Sequence, residues 1–193
     1  MKVTLPEDIK DITLNQFQRF TILNKQLEDE ELTVNEYNKK KISLFSGIPY
    51  HQIKNVQQKQ LEEVLEQIDK ALNEDAEFID VFKIGSEQFG FIPNLNEITS
   101  AEYFDLNTYG VEVETLHNLM AILFRPIKRI DSFGNYDIKS YNGTDDYAEL
   151  MKQTPMNVVN GALVFFCNLS SELQSYILRY TEVELLKEQQ QAT

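Results

Sequence analysis

The sequence has one cysteine (Cys167), no tryptophan, two histidines (His51 and His117) and seven glycines scattered between Gly47 and Gly161. A single cysteine excludes a disulfide framework and a thiolate zinc site. Two histidines leave too little for a His-rich metal centre. A phosphate-cradling loop needs closely spaced glycines at a helix start, and none is present, so no nucleotide cofactor is expected. Basic residues are also scarce: 18 Lys and Arg face 31 Asp and Glu, for a net charge of −13. A nucleic-acid sleeve needs clustered cations against the phosphates, so this balance argues against one. It argues less strongly against an anionic membrane surface. Long apolar runs are missing as well. The longest, Gly161 to Cys167, falls far short of the roughly 20 residues of a membrane span. The opening MKVTLPEDIKDITL has neither an apolar core of signal-peptide length nor a small-residue cleavage site. A cytosolic product, or one released from a cytosol, is expected.

What is present is enough apolar material for a core, 42% of the 193 residues, with strong helix grammar. Thr13 with Gln16, Thr33 with Glu36, and Thr99 with Glu102 each have the spacing of a capping box. Leu14, Phe17, Phe20 and Leu23 form one apolar stripe, and Leu61, Val64, Leu65, Ile68 and Leu72 another. Gly47 suits a left-handed helix end, and Pro49 the first turn of the next helix. From Phe78 the texture changes. FIDVFKI-GSE-QFGFI reads as a hairpin turning at Gly85, and PIKRIDSFGNYDIKSY as a second, turning near Gly134. Between them, Leu116 to Leu123 predicts a strongly apolar helix stopped by Pro126. A polar helix is expected over about Asp145 to Lys152. Thr154 and Pro155 then open a helix whose Val158–Leu169 stretch is apolar nearly all round, as a central buried helix is. Leu173, Tyr176, Ile177 and Tyr180 narrow to one face. The expected fold is α+β and mainly helical, a compact helical core with two β-hairpins. It forms one domain over 1–193: a helical part to about 77, a hairpin-and-helix part over 78–186, and a frayed tail over 187–193.

Candidate chemistry is thin. Glu114 lies three residues before His117, a spacing from which a general-base pair can be drawn; the plainer reading is a helix-face histidine beside a core stripe. His51 reads as surface. Cys167, between Phe166 and Asn168, lacks the electropositive setting of a reactive thiolate and reads as a buried structural thiol. Asp145–Asp146 and Glu74–Asp75 lack calcium-loop spacing and read as solvated charge. Arg125, Lys128 and Arg129 form the one compact basic cluster besides Lys39 to Lys41. In so acidic a chain they are the candidate partner-contact residues. Arg125 has an alternative internal role, paired with Glu114 or Asp105. No catalytic, cofactor-binding or metal residue is assigned.

One segment carries a resemblance. Phe91-Ile92-Pro93, then Thr99 to Tyr103, then Asp105, then Leu116 to Ile127 resemble a pattern in small structural and tail-assembly proteins of tailed bacteriophages, crAss-like phages included. Tyr141 to Thr144, Gly161 to Ser170, ITLNQFQRF and SLFSGIP are similar to the same family. Its members look like virion components or assembly factors. The resemblance implies a non-enzymatic protein, most simply a virion component, that contacts other phage structural proteins or itself. The composition and spacing above leave no cofactor, nucleic acid or membrane expected. The place would be the host cytoplasm during assembly and then the virion. Alternatives are a tail-assembly chaperone not retained in the virion, an acidic inhibitor or DNA mimic of a host protein, and an enzyme built around His117 and Glu114. Abundant Asn, Ile and Lys beside four Arg suits an AT-rich genome.

Overall fold

The computed structural model describes residues 5–53, 56–94, 98–110 and 112–167. The expected apolar face of Leu173, Tyr176, Ile177 and Tyr180 and the tail over 187–193 lie outside the described residues. The fold is α+β and mainly helical. A 3-10 turn, Ile9–Asp11, leads into helices α1 (Leu14–Glu28), α2 (Val34–Ser46), α3 (Tyr50–Ile53) and α4 (Gln58–Leu72). Strands β1 (Val81–Ile84) and β2 (Glu87–Phe91) follow, then α5 (Ser100–Tyr109), α6 (Leu116–Leu123), β3 (Phe124–Ile130), β4 (Tyr136–Ile138) and α7 (Ala148–Met151). The helix called α8 covers 156–167 of the described residues.

All three expected capping boxes form. Thr13, Thr33 and Thr99 accept from the third helical amide, and Gln16, Glu36 and Glu102 accept from the cap amide in return. Gly47 ends α2 in the left-handed region, at φ 69°. The two hairpins form where the alternation placed them. Their inner strands also pair, Phe91 opposite Phe124 and Phe89 opposite Pro126, so both hairpins belong to one antiparallel sheet in the order β1-β2-β3-β4. That β2–β3 seam is a long-range pairing, which local alternation does not encode.

Three expectations are corrected. Pro126 does not stop α6; the helix ends at Leu123 and Pro126 lies inside β3. Ile92 donates its amide to the Leu123 carbonyl at 2.9 Å. By antiparallel alternation the amide position of residue 126 then faces away from β2, so the missing N–H leaves the β2–β3 ladder intact. The polar helix over 145–152 is only the single turn Ala148–Met151. In α8, burial holds for Val158, Val159 and Ala162 but not beyond, since Val164 is 57% exposed and Phe165 37%.

One core runs from the N-terminal helices (Leu14, Ile42, Phe45, Ile68) through α6 to the sheet (Phe82, Phe89, Phe91). Leu116, Leu119, Met120, Ile122 and Leu123 are all at most 2% exposed. Phe124 meets Phe82 and Phe91 edge-on, with ring centroids 5.0 and 5.1 Å apart. Helix α1 is tied to α8 by an antiparallel bridge between Thr13 and Pro155. Leu14 and Asn15 donate their amides to the carbonyls of Thr154 and Lys152, and Met156 donates to Ile12, each at 2.8 Å. These bonds satisfy amides that a helix start leaves without intrahelical partners.

Gly161 lets α8 approach the segment that leads into β1. A Cβ there would stand 2.2 Å from the Glu77 carbonyl oxygen, which is backbone and has no rotamer by which to move aside. In an ordinary helix interior, Gly→Ala gains about 0.5–1 kcal/mol. At Gly161 the expected sign is reversed: Gly161→Ala should cost about 1–3 kcal/mol. A urea titration checks this, with the variant's midpoint expected below that of the parent.

Candidate functional site

The three cations singled out by sequence all lie on β3, but the fold sends them to different places. Arg125 turns inward and is 11% exposed. Its Nη2 lies 2.8 Å from Oε1 of Glu102, whose side chain is 3% exposed. The expected partners were Glu114 or Asp105; the structure pairs it with the capping-box glutamate instead. The other carboxylate oxygen of Glu102 accepts from the Thr99 amide at 2.6 Å and its hydroxyl at 2.7 Å. The guanidinium also lies over the Tyr141 ring, 5.9 Å from its centroid. Tyr141 in turn donates to Asp105 at 2.5 Å. Burial, with the Asp105 carboxylate as acceptor, raises the Tyr141 phenol far above its ordinary pKa. One network, buried at Glu102 and half-buried at Tyr141 and Asp105, therefore joins α5, β3 and the segment after β4.

Lys128 and Arg129 stay exposed. The pairing register with β4 shifts between Ile127 and Arg129, which places Lys128 in a bulge. Arg129 lies 3.2 Å from Asp137, with both side chains well exposed, and such pairs contribute about 0–1 kcal/mol. Beyond them, Ile130 is 45% exposed and Phe133, at the tip, 89% exposed. The tip is firmly built. The Asp131 carboxylate accepts from the amides of Phe133 at 2.8 Å and Asn135 at 2.9 Å, and from the Asn135 side-chain amide at 2.9 Å. The Asp131 amide donates to the Asn135 carbonyl at 2.9 Å, and Gly134 takes φ 89°. The hydrogen bond from the Asn135 side chain, helped by those two backbone amides, holds the Asp131 carboxyl below its ordinary pKa.

The hairpin is braced against the rest of the sheet by Tyr136, whose hydroxyl donates to the Phe91 carbonyl at 3.0 Å. Its ring occupies the space beside Gly90, where a Cβ would stand 2.5 Å from the ring edge. The site is thus an aromatic in water on a pinned turn, with Lys128 and Arg129 exposed on the strand that leads to it. Sequence reading found the cations and passed over Phe133 and Asp131. A readable signal was there: Asp two residues before an aromatic, followed by Gly-Asn, is the composition of an Asx turn.

His117 lines a separate cavity of about 220 Å³ with Gln18, Arg19, Glu114 and Lys152 among its walls. The Gln18 amide lies 3.2 Å from its Nδ1, and Asn118 Nδ2 lies 3.4 Å from its Nε2. Burial, followed by the nearby Lys152, lowers its pKa. Glu114 meets the ring through its backbone, and its side chain faces solvent. The general-base pair drawn from the sequence is not assembled by this geometry. His51, Asp145–Asp146 and Glu74–Asp75 are exposed. Cys167 is exposed too, which corrects the expectation of a buried thiol: it follows the point where α8 leaves the core. Among the described residues, no three His, Cys, Asp or Glu side chains gather where they could hold a metal ion.

Two outcomes follow. Glu102→Gln keeps a side chain that can cap α5 but leaves Arg125 buried without its counter-charge. It should cost about 3–5 kcal/mol, and Glu102→Gln/Arg125→Met should recover part of the loss; denaturant titrations of the two variants check this. His117 should titrate by NMR below the ordinary value near 6.5. The folded state then binds this proton less readily than the unfolded chain. The His117 contribution is therefore complete above that value, and stability falls as pH drops through the lower folded one. Comparisons with family models, curated proteins and solved structures return no match for this chain.

Proposed function

We propose that this chain works by protein–protein contact as a structural component of a tailed-bacteriophage particle, with the β3–β4 tip as its docking element. The observation that carries the docking role is Phe133, 89% exposed on a turn held by its own hydrogen bonds. A preordered loop loses little entropy on binding, and a large aromatic contributes much apolar area at that small cost. Arg and aromatic residues are also the side chains most often found at interface hot spots. Lys128 and Arg129 oppose the sign of a chain at net −13, so they select an acidic partner surface and speed encounter with it.

The phage assignment is supported by the resemblance of residues 90–127. That segment supplies the end of β2, the α5 cap with Glu102, helix α6 and the first residues of β3. It is the frame from which the hairpin springs. Mass spectrometry of purified particles separates the two forms of the reading. Stoichiometric presence is the expected result, while absence despite strong expression in the host would favour an assembly chaperone.

Lys128→Glu/Arg129→Glu should leave the melting temperature nearly unchanged, because both residues are solvated. The same variant should reduce incorporation into particles, and binding by the parent should weaken as salt rises. Particles that take up the variant at the parental level would remove the tip from the docking role.

A further inference from the structure

A cavity of about 490 Å³ opens between the chain just past α4 and the exposed side of α8. It is lined by Glu74, Asp75, Ala76, Asn160, Leu163 and Val164. Two exposed carboxylates stand on its rim, and its apolar side includes Val164, 57% exposed. The hairpin tip offers the complement: an exposed phenyl ring, with Lys128 and Arg129 exposed on the strand that leads to it and Arg129 also paired with Asp137. Three other cavities have cations in their walls: Arg19 and Lys40 in one, Arg19 and Lys152 beside Glu114 in the next, Arg125 and Lys139 beside Asp146 in the third. Of these four cavities, the one beside α8 is lined by carboxylates without a cation.

We propose that the tip of one copy of this chain seats in the α4–α8 cavity of a second copy. Phe133 packs on Leu163 and Val164, while Lys128 and Arg129 face Glu74 and Asp75. The inference rests on the tip being a docking element and adds the identity of its partner. Phe133 is 89% exposed in its own chain, so the contact is between molecules. Burying a phenyl ring and an exposed valine removes apolar surface from water on both sides. The opposite charges meet at the rim, where they steer the approach. Donor and acceptor are different surfaces, so each copy offers one of each. Reciprocal seating closes a dimer, and one-way seating propagates a row of subunits.

Sedimentation velocity on the full chain, across concentration and at low and high salt, tests the contact. The parent should associate, more weakly at high salt. The tip variant is Lys128→Glu/Arg129→Glu. The cavity variant is Asp75→Lys/Val164→Lys, which spares Glu74 because its carboxylate accepts the Ile9 amide at 3.1 Å. Each variant alone should lose association by about tenfold or more, as the removal of a rim pair and an apolar contact implies. Their equimolar mixture should recover it, because each reversed surface then meets its opposite. Melting curves should match the parent for both.

A parent that stays monomeric at every concentration and salt overturns the inference. So does a mixture that fails to recover association. A cavity variant that leaves association intact would also overturn it. These failures are separable from failure of the docking reading. A monomeric parent whose tip variant is still excluded from particles keeps the tip and changes its partner, whereas normal incorporation of that variant removes both.

Discussion

The carboxylate of Glu102 is the charge on which the second half of the molecule depends. Taking an ion out of water costs several kcal/mol unless partners replace the lost hydration. Glu102, at 3% side-chain exposure, has three: the Thr99 amide, the Thr99 hydroxyl and the Arg125 guanidinium. None works alone. The two from Thr99 fix where α5 begins, and the third fixes where β3 lies relative to α5. Arg125 is opposite Gly90 in the sheet, so positioning its side chain also positions the β2–β3 seam. Tyr141, under the guanidinium and bonded to Asp105, brings the segment after β4 to the same point. One buried ion pair thus fixes the base of the hairpin whose tip stands in water.

The helix starts were legible because a capping box is a local rule: two residues three apart satisfy each other's amides. Thr99 and Glu102 followed it as directly as Thr13 and Gln16. The hairpins were legible from alternation and from Gly85 and Gly134, both at positive φ. Legibility failed where the deciding contact is distant in sequence. Pro126 looks like a helix stop until β2 pairs beside it. Val158 to Leu169 looks central until only one side of α8 meets the core, leaving Val164 and Phe165 partly in water. A β-bulge such as that at Lys128 leaves no trace in composition.

The candidate site divides along the same line. Lys128 and Arg129 were visible as a cluster, and their exposure followed from their charge. Arg125 sits in the same cluster and has the opposite fate, because the third position of the α5 cap is brought beneath it by tertiary packing. Phe133 was hidden for the reverse reason. Its exposure is set by the turn itself, whose backbone at Phe133 is held by the Asp131 carboxylate while the ring stands in water.

The bridge between Thr13 and Pro155 bears on the order in which the chain becomes structured. The amides of Leu14 and Asn15 are taken by carbonyls of Thr154 and Lys152, which are synthesised after every strand of the sheet. Contacts so remote in sequence are entropically late, and folding slows as their share rises. On a ribosome, α1 and α2 can close on each other early, since they are adjacent and capped, and α6 can collapse onto the Phe82–Phe124 rings. The beginning of α1 must exchange water for protein carbonyls only when α7 emerges. Closure of the N-terminal helices onto the rest is therefore a late event, coupled to the arrival of the same turn that launches α8.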